Sequence, residues 1–104
     1  MARSSSQSQS GAAVLDAPKA QRPRRFKVLL MNDDYTTMDF VVYILQTVFG
    51  KPHPEAVQIM LNVHKNGTGI AGVYVKAVAE AKIEEVHQLA RAEEFPLRCT
   101  LEPE

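Results

Sequence analysis

A single cysteine, Cys99, serves the whole chain of 104 residues. No internal disulfide can form, so the fold needs no oxidising compartment. There is no Cys pair, and His53, His64 and His87 show none of the usual zinc spacings, so a structural metal site is not expected. No apolar run approaches the ~20 residues of a membrane span. The apolar stretch Gly11 to Leu15 is too short for the core of a signal peptide. Net charge is missing as well: twelve Lys and Arg balance twelve Asp and Glu. The totals therefore show no bias towards nucleic acid or membrane. The balance is not uniform along the chain. Residues 1–27 carry six basic side chains and one acidic one, and the rest carries six basic and eleven acidic. A basic leader thus runs into an acidic body, which suits a cationic partner such as an α-amino group.

What the chain does have is 45% hydrophobic residues, enough for one packed core. Residues 1–25 are rich in Ser, Gln, Ala, Pro and Arg and bury too little to offset ordering entropy, so they read as a flexible N-terminal extension. Its Ser- and Arg-rich, acid-poor composition also resembles an organelle transit peptide, although a bacterial tail is the plainer reading. Residues 26–104 are expected to form the core domain. Phe26 to Met31 is a short, partly alternating apolar run and predicts a strand. Asn32-Asp33-Asp34-Tyr35 breaks it, and Thr36 or Thr37 can cap a helix, with Asp39 completing a weak capping box after Thr36. Met38, Val41, Val42, Leu45, Val48 and Phe49 recur at helical spacing up to Gly50. A second helix starts at His53-Pro54 and closes at Asn66-Gly67. Ile70 to Val75 predicts a strand, Lys76 to Ala92 a long helix, and Leu97 to Leu101 a last strand after the blocking Pro96. The order is β-α-α-β-α-β, and an α+β fold with helices on one face of a small sheet is the economical packing.

Little of this offers catalysis. Cys99 falls in a core strand and the serines fall in the leader, so no nucleophile stands beside a base. Gly67-Thr68-Gly69-Ile70-Ala71-Gly72 has the G-x-G-x-x-G spacing but runs into a strand, not a helix, so it is no dinucleotide fingerprint. Asn32-Asp33-Asp34 sits at a strand-to-helix joint, where capping acids are ordinary. His64 ends the second helix, where a cap is equally natural. Met38, Met60 and Val63 at helical spacing read as core. Asp33, Asp34 and His64 could also serve a metal-dependent hydrolase, and Arg22 to Lys27 a nonspecific nucleic-acid arm.

The stretch Lys27 to Val41, KVLLMNDDYTTMDFV, resembles the signature of the ClpS adaptor family. Met60-Leu61-Asn62-Val63-His64, Gly72-Val73-Tyr74, Ala79-Glu80-Ala81-Lys82 and Pro96 to Glu102 agree with later blocks of that family, in order. The resemblance spans roughly residues 26–102. It implies a three-stranded antiparallel sheet against three helices. It also implies a non-enzymatic adaptor without cofactor, which captures the N-terminal residue of other proteins for a Clp unfoldase of the ClpA or ClpC type. Asn32, Asp34 and His64 match the positions that surround the α-ammonium, whose three donors need acceptors. Leu30, Met31, Thr36, Met38, Val41, Met60, Val63 and Leu97 match the pocket for a Leu, Phe, Tyr or Trp side chain. In the family, the Met at the position of Met38 disfavours β-branched guests. Lys82 matches an unfoldase-facing position, while Ala77 stands where some members have Glu.

Thr37 stands where many members have Pro, which bears on pocket shape and guest ranking. The expected protein is a cytoplasmic bacterial monomer, with a plastid-type organelle as the alternative compartment. It is not expected to engage nucleic acid or membrane. The competing reading of the residues is a generic α+β interaction module without an amine pocket.

Overall fold

The structure, a computed structural model, describes residues 22–104. The expected extension, apart from its last few residues, lies outside the described residues. The elements follow in the order β1 (Arg25–Met31), α1 (Met38–Thr47), α2 (His53–Asn66), β2 (Thr68–Val75), α3 (Lys76–Ala92) and β3 (Arg98–Pro103). The expected α+β architecture is the observed one. β1 is the central strand, with β2 and β3 antiparallel on either side.

Alternation decides which side chains meet the helices. Val28 and Leu30 of β1 are fully buried, whereas Lys27, Leu29 and Met31 turn to the other, helix-free face. On β3, Cys99 stands opposite Leu30 and Leu101 opposite Val28. The helices answer with Ile44 and Leu45 of α1, Ala56, Met60 and Val63 of α2, and Ala79, Val86 and Ala90 of α3. Alanines on α2 and α3 let those helices approach closely, and each large apolar side chain buried here contributes about 1.5–3 kcal/mol.

The ends of the elements correct several expectations. α1 stops at Thr47, short of the apolar run, because Gly50 takes a positive φ of 65° and the Lys51 N–H turns back to the Leu45 carbonyl at 3.0 Å. Lys82 of α3 then donates to the Val48 carbonyl at 2.9 Å, with its ammonium 5.3 Å from the centre of the Tyr74 ring. α1 has no basic residue in its last turn, so α3 supplies the cation that its negative end favours. β2 begins two residues earlier than the apolar pattern suggested. β3 is shifted to Arg98–Pro103, which leaves Leu97 in the connection. Both shifts come from pairing with β1, a long-range effect that local composition does not carry. β2 also gains a bulge: Val28 pairs with Gly72 and Leu29 with Ile70, so Ala71 is the extra residue.

β3 has only β1 for a neighbour, so alternate N–H groups point off the sheet edge. The N–H of Cys99 is satisfied by His87 Nε2 at 3.2 Å. The accepting nitrogen carries no proton, so protonating His87 would set two donors face to face. Burial, followed by the nearby Arg91, lowers the His87 pKa from its ordinary value; Arg98 acts the same way and Glu84 opposes. The unfolded chain therefore takes up this proton more readily than the folded one. The contact's stability is full above about pH 6.5 and is lost as pH falls through the lower folded value. Thermal unfolding followed from pH 7.5 down to 5 should show a falling midpoint. His87→Gln, whose amide oxygen can still accept, should flatten that fall; identical slopes for both proteins would contradict the assignment. Burial pushes the Cys99 thiol up to about 12, so it stays a protonated, inert hydrophobe.

Candidate functional site

The joint between β1 and α1 is organised by one carboxylate. Asp33 Oδ1 accepts from the Tyr35 and Thr36 N–H groups at 2.8 and 2.7 Å, and Oδ2 accepts from the Thr36 hydroxyl at 2.8 Å. Partial burial alone would raise the Asp33 pKa, but these three hydrogen bonds outweigh it and hold the carboxyl below its ordinary value. Thr36, so engaged, is not the helix cap. Thr37 caps α1 by accepting from the Phe40 N–H at 3.1 Å, which leaves Asp39 in the first turn without a capping-box partner. The Thr37 φ of −72° lies in the range of proline. Proline would keep this backbone and lose the cap.

The far end of the joint is tied to α2. The Asn32 N–H donates to the Gly67 carbonyl at 2.9 Å. Gly67 closes α2 with φ 89° and returns its own N–H to Val63. That left-handed turn is cheap only for glycine. It ends α2 so that His64, in its last turn, comes level with Asn32.

Between these elements lies a cleft of about 270 Å³, lined by Asn32, Asp33, Asp34, Thr36, Met38, Val41, Met60, Val63 and His64. The volume lies just below the roughly 300–1,000 Å³ of small-molecule pockets, a scale that suits one large side chain. Its walls sort by chemistry. Val41, Met60 and Val63 are buried and form the apolar floor, with Met38 half-exposed at the side. Asn32, Asp34 and His64 stand exposed at the rim. Asp33 is spent inside the loop, but no side-chain hydrogen bond engages Asn32, Asp34 or His64 among the described residues. The rim thus holds a carbonyl, a carboxylate and an imidazole without internal partners, above an apolar floor.

The structure brings together Asn32, Asp34, His64, Thr36, Met38, Val41, Met60 and Val63 of the residues expected from the sequence. It does not bring Leu30, Met31 and Leu97 to the cleft wall. Leu30 is fully buried in the core beneath it, and Leu97, 3% exposed, is buried on the way into β3. Met31 faces a neighbouring cleft on the helix-free side of the sheet. Lys82 is committed to the Val48 carbonyl and the Tyr74 ring, away from the cleft. The sequence reading named Asp33 only as one of several turn and capping acids; its bonds within the loop make it the organiser of the joint and not a cap of α1. An Asp followed three residues later by Thr at a turn was the available signal. No three His, Cys, Asp or Glu side chains cluster as a metal site would need among the described residues.

Comparison with known proteins follows the same lines. The family model described as ATP-dependent Clp protease adaptor protein ClpS matches residues 21–100. The ClpS adapter protein of Desulfatibacillum aliphaticivorans is 65% identical over 93 residues, covering 88% of this chain and 89% of its own. That of Caulobacter vibrioides strain NA1000 is 51% identical over 85 residues, covering 82% and 78%. Among solved structures, Agrobacterium tumefaciens ClpS2 bound to L-phenylalaninamide is similar with a TM-score of 0.77 and 37% identity, over 80% of this chain and all of that one.

Proposed function

The chain belongs to the ClpS family of ATP-dependent Clp protease adaptor proteins, and from that premise we propose that its cleft captures the N-terminal residue of substrate proteins. As a ClpS adaptor it is non-catalytic: it serves the Clp protease by binding. The observation that carries the proposal is the rim of Asn32, Asp34 and His64, three unengaged polar groups above an apolar floor. A substrate's α-ammonium has three donors, and these groups supply an amide carbonyl, a carboxylate and an imidazole nitrogen. Each charge-assisted bond contributes about 1.5–3 kcal/mol. The side chain of the same residue would enter between Met38, Val41, Met60 and Val63, where burying Leu or Phe adds about 1.5–3 kcal/mol.

The two parts reinforce each other. A bulky guest expels water from the cleft, and the ammonium contacts strengthen as the local dielectric falls. Leu, Phe, Tyr and Trp are the fitting guests. Met60 and Met38 adapt to their different shapes, while a branch at the guest Cβ would press on Met38 beside the amine. The phenylalaninamide held by the Agrobacterium relative has this chemistry, a free amine next to an aromatic side chain.

His64 must offer an acceptor to the ammonium. His64→Phe, which keeps an aromatic ring but no acceptor, should weaken capture of a Phe-starting peptide severalfold. An unchanged affinity in that variant would remove His64 from the amine site.

Delivery follows from docking on a Clp unfoldase of the ClpA or ClpC type, in the bacterial cytoplasm, through a face of α3 that includes Lys82. The functional test is degradation. A reporter starting with Phe should be destroyed faster by a bacterial Clp unfoldase-protease when the chain is added, and a reporter starting with Gly should not. Equal rates with and without the chain would overturn the delivery reading.

A further inference from the structure

Helix α1 borders two hollows. Met38 and Val41 line the capture cleft. Phe40 and Tyr43 face α3 instead, across a groove of about 290 Å³ that Leu89, Ala92 and Glu93 complete. The floor of this groove is aromatic. The Phe40 ring packs on Phe95 with centroids 5.0 Å apart and meets the Tyr43 ring at 5.9 Å. Phe40 is buried, whereas Tyr43 is 47% exposed. Its ring stands at the surface of a helix pair that otherwise shows polar groups to water.

The charge around the groove has one sign. No basic residue lines it. On α3, Glu85, Leu89 and Glu93 follow at four-residue spacing and so share a face. On α1, Asp39 stands one turn before Tyr43. None of these three carboxylates enters an ion pair among the described residues, where Arg91, the basic residue of the last turn of α3, pairs with Glu84. Glu93 is placed against its own helix as well. It is the C-cap of α3, the end whose partial negative charge favours a cation. An aromatic face beside unpaired carboxylates suits a cation on an apolar stem. The stem lies on the apolar wall, the charge meets the ring face and a carboxylate takes the donors.

We infer that the groove between α1 and α3 is a docking site for an arginine-bearing segment of a partner protein, with the guanidinium against Tyr43 and Glu93. It is separate from the capture cleft and does not depend on amine capture. Arginine fits better than lysine, because its planar group can lie flat on the Tyr43 ring and still present a fork of donors to Glu93. Asp39 and Glu85 extend the attraction along both flanks, so neighbouring basic residues in the same segment add to it. Each contact is modest at an exposed site, and the groove serves a transient partner.

The test uses short peptides, acetylated at the N-terminus and amidated at the C-terminus so that no free amine can enter the capture cleft. Their central residue is Arg, Lys, Gln or Glu between alanines. They are titrated into the full chain, uniformly labelled with nitrogen-15, and the amide signals of Phe40, Tyr43, Leu89 and Glu93 are followed. The Arg peptide should move these signals and bind about five- to tenfold more tightly than the Gln peptide at low salt, with Lys in between. High salt should shrink that ratio. Tyr43→Ala should weaken the Arg peptide about two- to fivefold, and Glu93→Gln should weaken it severalfold at low salt only. Both variants should keep their melting temperature and their affinity for a free-amine Phe peptide. Arg and Gln peptides of equal affinity, or shifts elsewhere than the groove, would overturn the site. So would tighter binding of the Glu peptide. Signals at Tyr43 and Leu89 that move with protein concentration alone would assign the groove to a second copy of this chain and overturn the arginine reading.

Discussion

Asp34→Ala is expected to lower the affinity for a free-amine Phe peptide by roughly ten- to a hundredfold, the equivalent of losing one charge-assisted hydrogen bond, with little change in thermal stability. The contrast with its neighbour makes the expectation sharp. Asp33 and Asp34 are adjacent, carry the same charge and line the same cleft. Asp33 accepts three hydrogen bonds that shape the loop, and Asp34 accepts none among the described residues. Asp33→Ala should therefore act through folding. It releases the Tyr35 and Thr36 N–H groups and removes a contribution that is present above about pH 3.8 and lost as pH falls through the depressed folded value. Asp34→Ala should act through binding. Isothermal titration beside a melting curve separates the two. If Asp34→Ala bound as well as the unaltered chain, the amine would be held elsewhere.

Gly69→Ala is expected to be the most damaging methyl that can be added near the site. A Cβ at Gly69 would stand 2.7 Å from Val63 Cγ2 and 3.5 Å from the Ile59 carbonyl oxygen. Val63 cannot swing away, because a β-branched residue in a helix has one strongly preferred rotamer, and its side chain is 3% exposed. The relief has to come from moving α2 off β2. Overpacking of this kind costs about 1–3 kcal/mol, which in a domain of this size lowers the melting temperature by several degrees per kcal/mol. The displaced helix also carries Met60, Val63 and His64, so affinity for bulky guests should fall together with stability. Normal binding by a destabilised Gly69→Ala would mean that the cleft tolerates a shifted α2.

The elements most legible in the sequence were those with local punctuation. Pro54 in the first turn and Gly67 just past the end mark α2 by chemistry confined to a few residues, and the helix runs from His53 to Asn66. β2 and β3 were legible as strands but not in their limits, which follow from the hydrogen-bonding partners on β1. The helix cap turned on a choice between adjacent hydroxyls. Asp33 takes Thr36, which leaves Thr37 for α1, and nothing within the Thr pair itself decides that.

The candidate site divides the same way. Spacing alone left Asn32, Asp34 and His64 as turn and cap residues, and the resemblance to a family grouped them. The fold adds the long-range bond from Asn32 to Gly67 that brings the loop level with the end of α2. Leu30 and Met31 show the limit of grouping by resemblance. Neighbours on a strand point to opposite faces, so one is sealed under the helices and the other opens on the sheet's free face.

The account stands most directly on one comparison: the binding of a Phe-starting peptide with a free amine against the same peptide N-acetylated. Acetylation removes the charge and leaves every downstream residue in place. The free peptide should bind at micromolar affinity or tighter, on the order of 8 kcal/mol, and the acetylated one should bind at least a hundredfold more weakly, since it loses its charge and two of its donors. Equal affinity for the two, or no binding of either, would contradict capture of the N-terminal amine at Asn32, Asp34 and His64.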